Sequence, residues 1–440
     1  MAKKTKIALP NKNSQKLHRY LIAFPVIAFV IKLITMSNIQ GNGWLGADGE
    51  NYFKGVDGLY ADGLFSKAEI LNYWPAGYPI LLWMLVLISI PKFVLLISII
   101  QSIFFAWATY YLSRNLSMTS LAWISIPVSI FISFNPTLSL STLAVGYEAP
   151  VAACFMMVLG IIVSSKKDGA KLQIKQAVFA GAWLALASFM QPRYLLTGFV
   201  ICLIWALTYA SKRQGLILAV VAVCVTLLSP TALIARNVVA IDQTSISTNL
   251  GVTMSIGAGD ETKGGYNRTG PEVPCVPTPP ATSVTDNQKV ICIVKWYLTN
   301  PVKTLKLSMY KTVYFWSPWS GPLTEGTMAR NPWLKIAPTQ DLIKTQSGAD
   351  LVNGPFGKII SWLWILGQVA LLFYGFYVLR RIDPLSKLIA NTSLSAVVTS
   401  WLISIGTIGD HRFRLPTMSL SLLLQVVAIW HLKKKITKAF

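Results

Sequence analysis

The sequence predicts an all-helical protein that crosses a membrane many times, and three observations support this fold class. Hydrophobic residues make up 53% of the 440-residue chain and charged residues only 13%, with a mean hydropathy of +0.53, whereas charged residues form about 25% of a soluble globular domain. The apolar residues gather in runs of about 16 to 22, long enough for a helix to cross about 30 Å of hydrocarbon. The basic residues lie mainly on one side of these runs. The alternating pattern of a membrane β-barrel is absent from the sequence, which leaves a polytopic α-helical protein.

Ten apolar runs qualify as membrane spans. They cover residues 20–36, 93–112, 119–134, 148–164, 175–190, 194–210, 214–235, 358–379, 386–405 and 415–432. The first run follows a long basic arm and no small-residue cleavage site follows it, so we predict a retained signal anchor. One further apolar run, residues 75–90, would invert every later loop if it crossed the membrane. We therefore predict that it forms a helix lying in the outer interface.

The charges are distributed unevenly across these spans. Twenty basic residues, against only Asp168 and Asp383, occupy the two termini and four short loops, so these segments carry +18 of the net charge of +22. The segments are residues 1–19, 114, 166–175, 212–213, 380–387 and 433–440. This bias is typical of the cytoplasmic face of a plasma membrane. It predicts a multi-pass protein with both termini in the cytoplasm and membrane lipids as neighbours, and it disfavours a nucleic-acid partner.

Three regions follow from this topology. Residues 1–235 form an N-terminal transmembrane core that includes a first outer loop, residues 37–92. Residues 236–356 form an outer-face region, predicted as a small helical and irregular structure, and residues 357–440 form the C-terminal transmembrane helices. Cys275 and Cys292 both lie in the outer-face region, where a disulfide and two free thiols are equally compatible with the sequence.

Eight charged residues lie at the outer ends of the predicted spans or in adjoining loops. They are Asp48, Glu50, Glu148, Arg193, Arg236, Asp410, Arg412 and Arg414. Guanidinium groups beside carboxylates at a membrane surface suit a lipid-linked phosphate substrate, because arginine binds the phosphate and a carboxylate takes a proton from an incoming hydroxyl. Asp48, Glu50 and Glu148 offer oxygen ligands of the kind a divalent ion uses. No histidine or closer carboxylate cluster accompanies them, so we predict no metal and no other cofactor.

Several short segments carry a family resemblance. The segments ADGENY at 47–52 and WPAGYPILL at 74–82 resemble the first outer loop of the polytopic C-type glycosyltransferases, notably relatives of protein O-mannosyltransferases and of the lipid A aminoarabinose transferase. That loop has an Asp, often as Asp-x-x-x-Tyr, before a Pro-rich entry to a juxtamembrane helix. Further matches keep the family's order along the chain. They are Asn135-Pro136 leading to Glu148, Arg236-Asn237 followed by STNLG at 247–251, WYLTNP at 296–301 with Lys311 and Trp316, and RFRLP at 412–416.

The resemblance implies a glycosyltransferase that moves a sugar from a polyprenyl-phosphate carrier to an acceptor hydroxyl outside the cytoplasm, with inversion. Asp48 is the expected base, Glu50 its reserve, and Glu148 the residue that orients the acceptor or the sugar. The resemblance implies donor-phosphate ligands in the order Arg412, Arg414, Arg236 and Arg193. The acceptor implied is a glycan, a lipid or a protein.

Other interpretations of these residues stay open in the sequence. Asp48 and Glu148 also fit helix caps, and Arg236 fits an anchor at a helix end. The alternative function is a transporter or flippase for a lipid-linked or small substrate. Such proteins tend to have two related halves and ionisable groups near the bilayer midplane, and the sequence shows neither feature.

Overall fold

The computed structural model describes residues 12–38, 48–165, 173–209, 211–259, 262–265, 273–277, 283–317, 337, 339–348 and 354–439, and these residues form helices without a strand. The N-terminal helices are α1 (Lys12–Met36), α2 (Gly49–Asp62), α3 (Glu69–Tyr73), α4 (Gly77–Val86), α5 (Phe93–Ser117), α6 (Ala122–Ser133), α7 (Pro136–Leu140), α8 (Glu148–Ser165) and α9 (Ile174–Met190). They are followed by α10 (Tyr194–Leu207), α11 (Lys212–Ile241), α12 (Leu250–Ile256), α13 (Asp286–Thr299), α14 (Pro301–Trp316), α15 (Thr339–Lys344), α16 (Pro355–Leu379), α17 (Pro384–Gly406) and α18 (Met418–Ala439). The basic segments 1–11 and 166–172 and Ala47 of the first motif lie outside the described residues.

The all-helical prediction is confirmed, and each of the ten predicted spans coincides with a helix. Within the described residues, seven helices are long and apolar enough to cross a membrane, and an eighth span results if the bent pair α6 and α7 counts as one. This pair bends by 53° where the Asn135 side chain caps α7 and Pro136 begins it, because proline is tolerated in the first turn of a helix. The predicted spans 175–190 and 194–210 correspond to the shorter apolar helices α9 and α10.

Helix α8 is the central helix of the bundle. Of its residues, 94% are buried inside the protein, against 39% in the most apolar part of α5 and 22% in that of α16. A Cβ atom on Gly160 would lie 2.6 Å from the Tyr111 ring, so α8 packs directly against α5. Because α8 begins at Glu148, the first carboxylate of the helix is placed at one end of the protein core.

The first outer loop contains α2, α3 and α4. Helix α4 has 10 residues, which rise about 15 Å, about half the thickness of the hydrocarbon. This length agrees with an interfacial helix. A Cβ on Gly77 would come 1.8 Å from the Phe189 carbonyl oxygen at the end of α9, so only glycine allows this contact.

The end of α11 holds the first outer loop in place. This helix continues to Ile241, past the predicted region boundary at 235/236. Arg236 Nε donates to the Leu64 carbonyl at 3.2 Å, and Arg236 Nη2 donates to the Ser66 carbonyl. Asn237 Nδ2 donates to the carbonyl of Ser245 at 2.8 Å. The Arg-Asn motif therefore joins α11 to two outer loops.

The outer-face region packs on the end of α17. A disulfide joins Cys275 to Cys292 of α13, which decides between the two thiol states that the sequence leaves open. Lys311 of α14 is 1% exposed, and its Nζ donates to Tyr297 Oη, to the Ile405 carbonyl and to the Thr407 carbonyl at 2.8–3.0 Å. Burial lowers the pKa of Lys311 to about 7. These bonds connect α13 and α14 to the last turn of α17 and to Thr407, which follows it.

Candidate functional site

A buried ion cluster forms where three distant segments meet. Arg412 Nη1 lies 2.5 Å from Asp48 Oδ2, and Arg412 Nε donates a hydrogen bond to Glu148 Oε1. Asp48, Glu148 and Arg412 are 8%, 9% and 6% exposed. Two buried carboxylates need a counter-charge, and the single guanidinium provides it for both. The cluster thus brings together two of the predicted acidic residues and the first-ranked arginine.

Local structure orients each member of this cluster. Asp48 immediately precedes α2, and its carbonyl accepts from the Tyr52 N–H at 3.1 Å. Glu148 begins α8, and a Cβ on Gly146 would lie 2.4 Å from Glu148 Oε2, so glycine leaves room for this carboxylate. Arg412 lies in the 3-10 turn His411–Thr417 that leads into α18. The two helix starts and this turn converge on one point.

Asp410 is a buried carboxylate that sequence reasoning placed at an outer end without giving it a role. It is 2% exposed, and its Oδ1 accepts from the Arg412 N–H at 2.9 Å and lies 3.7 Å from His411 Nδ1. Burial raises the pKa of Asp410 to about 7, although the Arg412 N–H and the positive charge of Arg193 act in the opposite direction. In the sequence, the feature that could have identified Asp410 as a site residue is its position two residues before the Arg-x-Arg motif at 412–414. Asp410 fixes the turn that presents Arg412.

Aromatic side chains enclose the cluster. The guanidinium carbon of Arg412 lies 5.0 Å from the centroid of the Tyr147 ring. Tyr52 packs edge-on against Trp74 at 5.4 Å and Tyr78 at 4.9 Å. Burial raises the pKa of both Tyr52 and Tyr147, so these phenols stay neutral. The Asp-x-x-x-Tyr spacing places Tyr52 one helical turn after Asp48, where it joins α2 to the aromatic entry of α4.

Arg414 lies beside this cluster with most of its guanidinium unpaired. Its Nη2 donates to the Ser317 carbonyl at 3.4 Å, and its guanidinium carbon lies 5.9 Å from the Trp316 ring centroid. Its Nε and Nη1 are buried without a hydrogen-bond partner, and no ion pair to Arg414 occurs within the described residues. Arg414 and Asn135 line a small cavity of about 20 Å³ between α16 and α18. A buried guanidinium with free donors is a site for an anionic group.

The remaining predicted residues lie around the cluster or away from it. Arg193 stacks on the Phe413 ring at 4.0 Å and its charge reaches Asp410, so it lies at the edge of the cluster. Arg236 donates instead to the carbonyls of the first outer loop, as described above, which agrees with the anchoring interpretation. Glu50 is exposed and pairs with Lys54 at 3.1 Å, so the structure does not bring it to the cluster.

The described part of the chain contains no group of three or more His, Cys, Asp or Glu side chains arranged to hold a metal ion. Between Asp48 and Glu148 lies the guanidinium of Arg412. That the protein binds no metal therefore stays a prediction from the sequence.

Comparison with known proteins adds a finding about the fold. No protein-family model and no curated protein sequence matches the chain. The chain is similar to the archaeal oligosaccharyltransferase AglB from Archaeoglobus fulgidus in complex with an inhibitory peptide and a dolichol-phosphate. The sequence identity is 13% and the TM-score 0.50, and the match covers 96% of this chain and 52% of that chain.

Two other structures of the Archaeoglobus fulgidus oligosaccharyltransferase match with the same identity and TM-score. They are a complex with Zn and sulfate, over 95% of this chain and 49% of that one, and an apo form, over 95% and 52%. The chain thus spans about half the length of these neighbours. At 13% identity the likeness concerns the fold alone.

Proposed function

We propose that the protein is a membrane glycosyltransferase that moves a sugar from a polyprenyl-phosphate carrier to an acceptor hydroxyl at the extracytoplasmic face. The observation that carries the proposal is the convergence of Asp48, Glu148 and Arg412 beside the unneutralised Arg414. The shared fold supports it, because one of the neighbours is an oligosaccharyltransferase structure that contains a dolichol-phosphate. The multi-pass topology with both termini in the cytoplasm, derived from the charge bias, is part of the same proposal.

The reaction is a single displacement. The acceptor oxygen attacks the anomeric carbon and its proton passes to the Asp48 carboxylate. The bond between the anomeric carbon and the phosphate oxygen breaks, and its electron pair leaves with the polyprenyl phosphate. Attack from the side opposite the leaving group inverts the anomeric configuration. Arg412 holds the Asp48 carboxylate in one orientation, so the base is positioned before the substrate arrives.

The two arginines of the RFRLP motif have different roles in this mechanism. Arg412 is committed to Asp48 and Glu148, whereas Arg414 has two buried donors without a hydrogen-bond partner and is among the residues that line a small cavity. We therefore assign the leaving phosphate to Arg414, where the positive charge stabilises the developing negative charge. Arg193 lies close enough to the cluster to assist it. Arg236 acts as an anchor of the first outer loop.

The second carboxylate of the cluster orients the reactants. Glu148 shares Arg412 with Asp48 and is buried at the same point, so its oxygens are placed to accept hydrogen bonds from the acceptor or the sugar hydroxyls. Glu50 is solvent-exposed and pairs with Lys54, which removes the main reason to keep it as a reserve base. The acceptor class is a glycan, a lipid or a protein.

The experiment compares two neighbouring carboxylates. Purified wild-type protein, Asp48→Asn and Glu50→Gln are incubated with a panel of polyprenyl-phosphate sugars and membrane extract, and released polyprenyl phosphate and labelled acceptor are measured. Loss of a general base reduces the rate by about 10²-fold or more, so Asp48→Asn should lose transfer while Glu50→Gln keeps it. Equal turnover by Asp48→Asn and wild type would refute the base assignment. If the protein in liposomes moved the polyprenyl-phosphate sugar from one leaflet of the bilayer to the other without sugar transfer, this would instead indicate a flippase.

A further inference from the structure

A second charged site lies at the opposite end of α17 from the ion cluster. Arg380 and Arg381 form the turn between α16 and α17, and Lys387 lies in the first turn of α17. Together with Phe376 and Tyr377 they line an open concavity of about 360 Å³. Helix α17 has 23 residues and is therefore about 34 Å long. This site is separated from the ion cluster by the thickness of the membrane core.

The three cations of this site have no acidic partner among the described residues. No ion pair to Arg380, Arg381 or Lys387 occurs in the described part of the chain. Asp383 is close in sequence, but its Oδ2 accepts from the Ser120 and Ser386 hydroxyls at 2.5 and 2.9 Å, and its Oδ1 accepts from the Ser386 N–H at 2.8 Å.

Burial alone would raise the pKa of Asp383, but the hydrogen bonds from Ser120 and Ser386 together outweigh it and hold the pKa below its usual range. The carboxylate is therefore ionised and committed to capping α17. A lysine in the first turn of a helix is unfavourable because the helix dipole is positive there. Binding of an external anion would offset this concentration of positive charge.

Aromatic rings hold the two arginines in place. The guanidinium carbon of Arg381 lies 3.8 Å from the Tyr377 ring centroid, and that of Arg380 lies 5.1 Å from the Phe376 ring centroid. Each pair is one helical turn apart, with the ring toward the middle of α16 and the guanidinium toward its end. Stacking orders the planar donors, so less freedom is lost when they bind an oxyanion.

The surface next to these cations is apolar and exposed. Tyr377, Phe373 and Ile382 are 50%, 43% and 43% exposed, and only 22% of the most apolar part of α16 is buried. A soluble anion would leave this surface uncovered, whereas acyl chains would cover it. The cations lie at the end of α16 and the apolar surface lies along its side. This arrangement matches a phospholipid, whose phosphate would lie at the helix end and whose acyl chains would lie along the helix.

We propose that the concavity formed by Arg380, Arg381, Lys387, Phe376 and Tyr377 binds the phosphate headgroup of an anionic phospholipid in the cytoplasmic leaflet. The acyl chains would lie along the exposed face of α16. The proposal does not depend on the glycosyltransferase reaction. Clusters of basic residues between the cytoplasmic ends of membrane helices are known to attract anionic headgroups.

The test measures lipid binding by native mass spectrometry of the full-length protein in detergent. Phosphatidylglycerol is the probe, phosphatidylcholine is the zwitterionic competitor, and inorganic phosphate is added in a separate arm. The variant is Arg380→Gln/Arg381→Gln/Lys387→Gln. The matched control is Arg114→Gln/Lys212→Gln/Arg213→Gln, which removes three exposed cations from the same predicted face. The expected result is that the site variant binds phosphatidylglycerol at least about ten-fold more weakly, while the control binds as the wild type does.

Three outcomes would overturn the proposal. The first is equal loss of binding in the site variant and the control, which indicates a general effect of positive charge. The second is displacement of phosphatidylglycerol by inorganic phosphate, which indicates a site for a soluble anion. The third is no preference of the wild type for phosphatidylglycerol over phosphatidylcholine, a measurement that does not depend on whether any variant folds.

Discussion

Replacement of Arg412 by methionine is expected to destabilise the protein strongly. Arg412 is the counter-charge of both Asp48 and Glu148, and all three residues are less than 10% exposed. Removing one partner of a buried ion pair costs about 3–5 kcal/mol, because the remaining charge is left uncompensated. A folded domain has a free energy of unfolding of only about 5–15 kcal/mol. Arg412→Met should therefore remove a large part of the stability.

A triple variant separates this charge effect from lost packing. In Asp48→Asn/Glu148→Gln/Arg412→Met all three members of the cluster are neutral, so none of them leaves an uncompensated charge. This variant should recover most of the stability lost in Arg412→Met, and such non-additivity is the sign of direct coupling. The free energy of unfolding is measured by denaturant titration of the purified proteins in mixed micelles.

A matched control comes from the exposed ion pair of Lys54 with Glu50. Lys54→Met should cost no more than about 1 kcal/mol, because exposed ion pairs contribute little. Two results would contradict the reasoning: Arg412→Met as stable as Lys54→Met, or a triple variant no more stable than Arg412→Met.

Three further predictions follow from buried polar groups near the site. Arg414→Met should leave the free energy of unfolding unchanged or raise it, because no described carboxylate pairs with Arg414. The same variant should lose binding of polyprenyl phosphate, measured by native mass spectrometry. A large loss of stability would argue for a structural role of Arg414. Asp410→Asn should remove a pH dependence of stability. The pKa of Asp410 is raised from 3.8 to about 7. The contribution of Asp410 to the free energy of unfolding is therefore complete below about pH 4 and is lost as the pH rises through about 7. Parallel curves of unfolding free energy against pH for the wild type and the variant would contradict this. Lys311→Met should destabilise the protein by about 1–3 kcal/mol, because Tyr297 Oη and two carbonyls lose their donor, and an unchanged unfolding midpoint would show that these groups find other partners.

The length of the apolar runs in the sequence made most of the fold predictable. A helix of about 20 apolar residues is required by the hydrocarbon and satisfies its own backbone, so each apolar run identified in the sequence became a helix. Helices α9 and α10 and the bent pair α6 and α7 show the limit of this argument. Burial inside the bundle allows shorter or broken helices, and run length alone does not reveal it.

The candidate site was predictable as a set of residues and not as a set of contacts. Asp48 and Glu50 are two positions apart, which is about 200° around a helix, so one is buried in the cluster and the other is exposed. The sequence predicts both Arg414 and Arg236 as phosphate ligands, with Arg414 ranked before Arg236. The structure differentiates them, because loop carbonyls accept from Nε and Nη2 of Arg236, while Nε and Nη1 of Arg414 have no hydrogen-bond partner.

The sequence by itself determined the fold class, the sidedness of the charges and the kinds of chemical group at the outer ends of the helices. These properties are sums over local composition, and each residue contributes independently of its distant neighbours. Only the tertiary structure decided that Arg412 pairs with Glu148, 264 residues away, and with Asp48. The reason is physical: an ion pair across distant segments depends on where the helices pack, and packing is a property of the whole bundle.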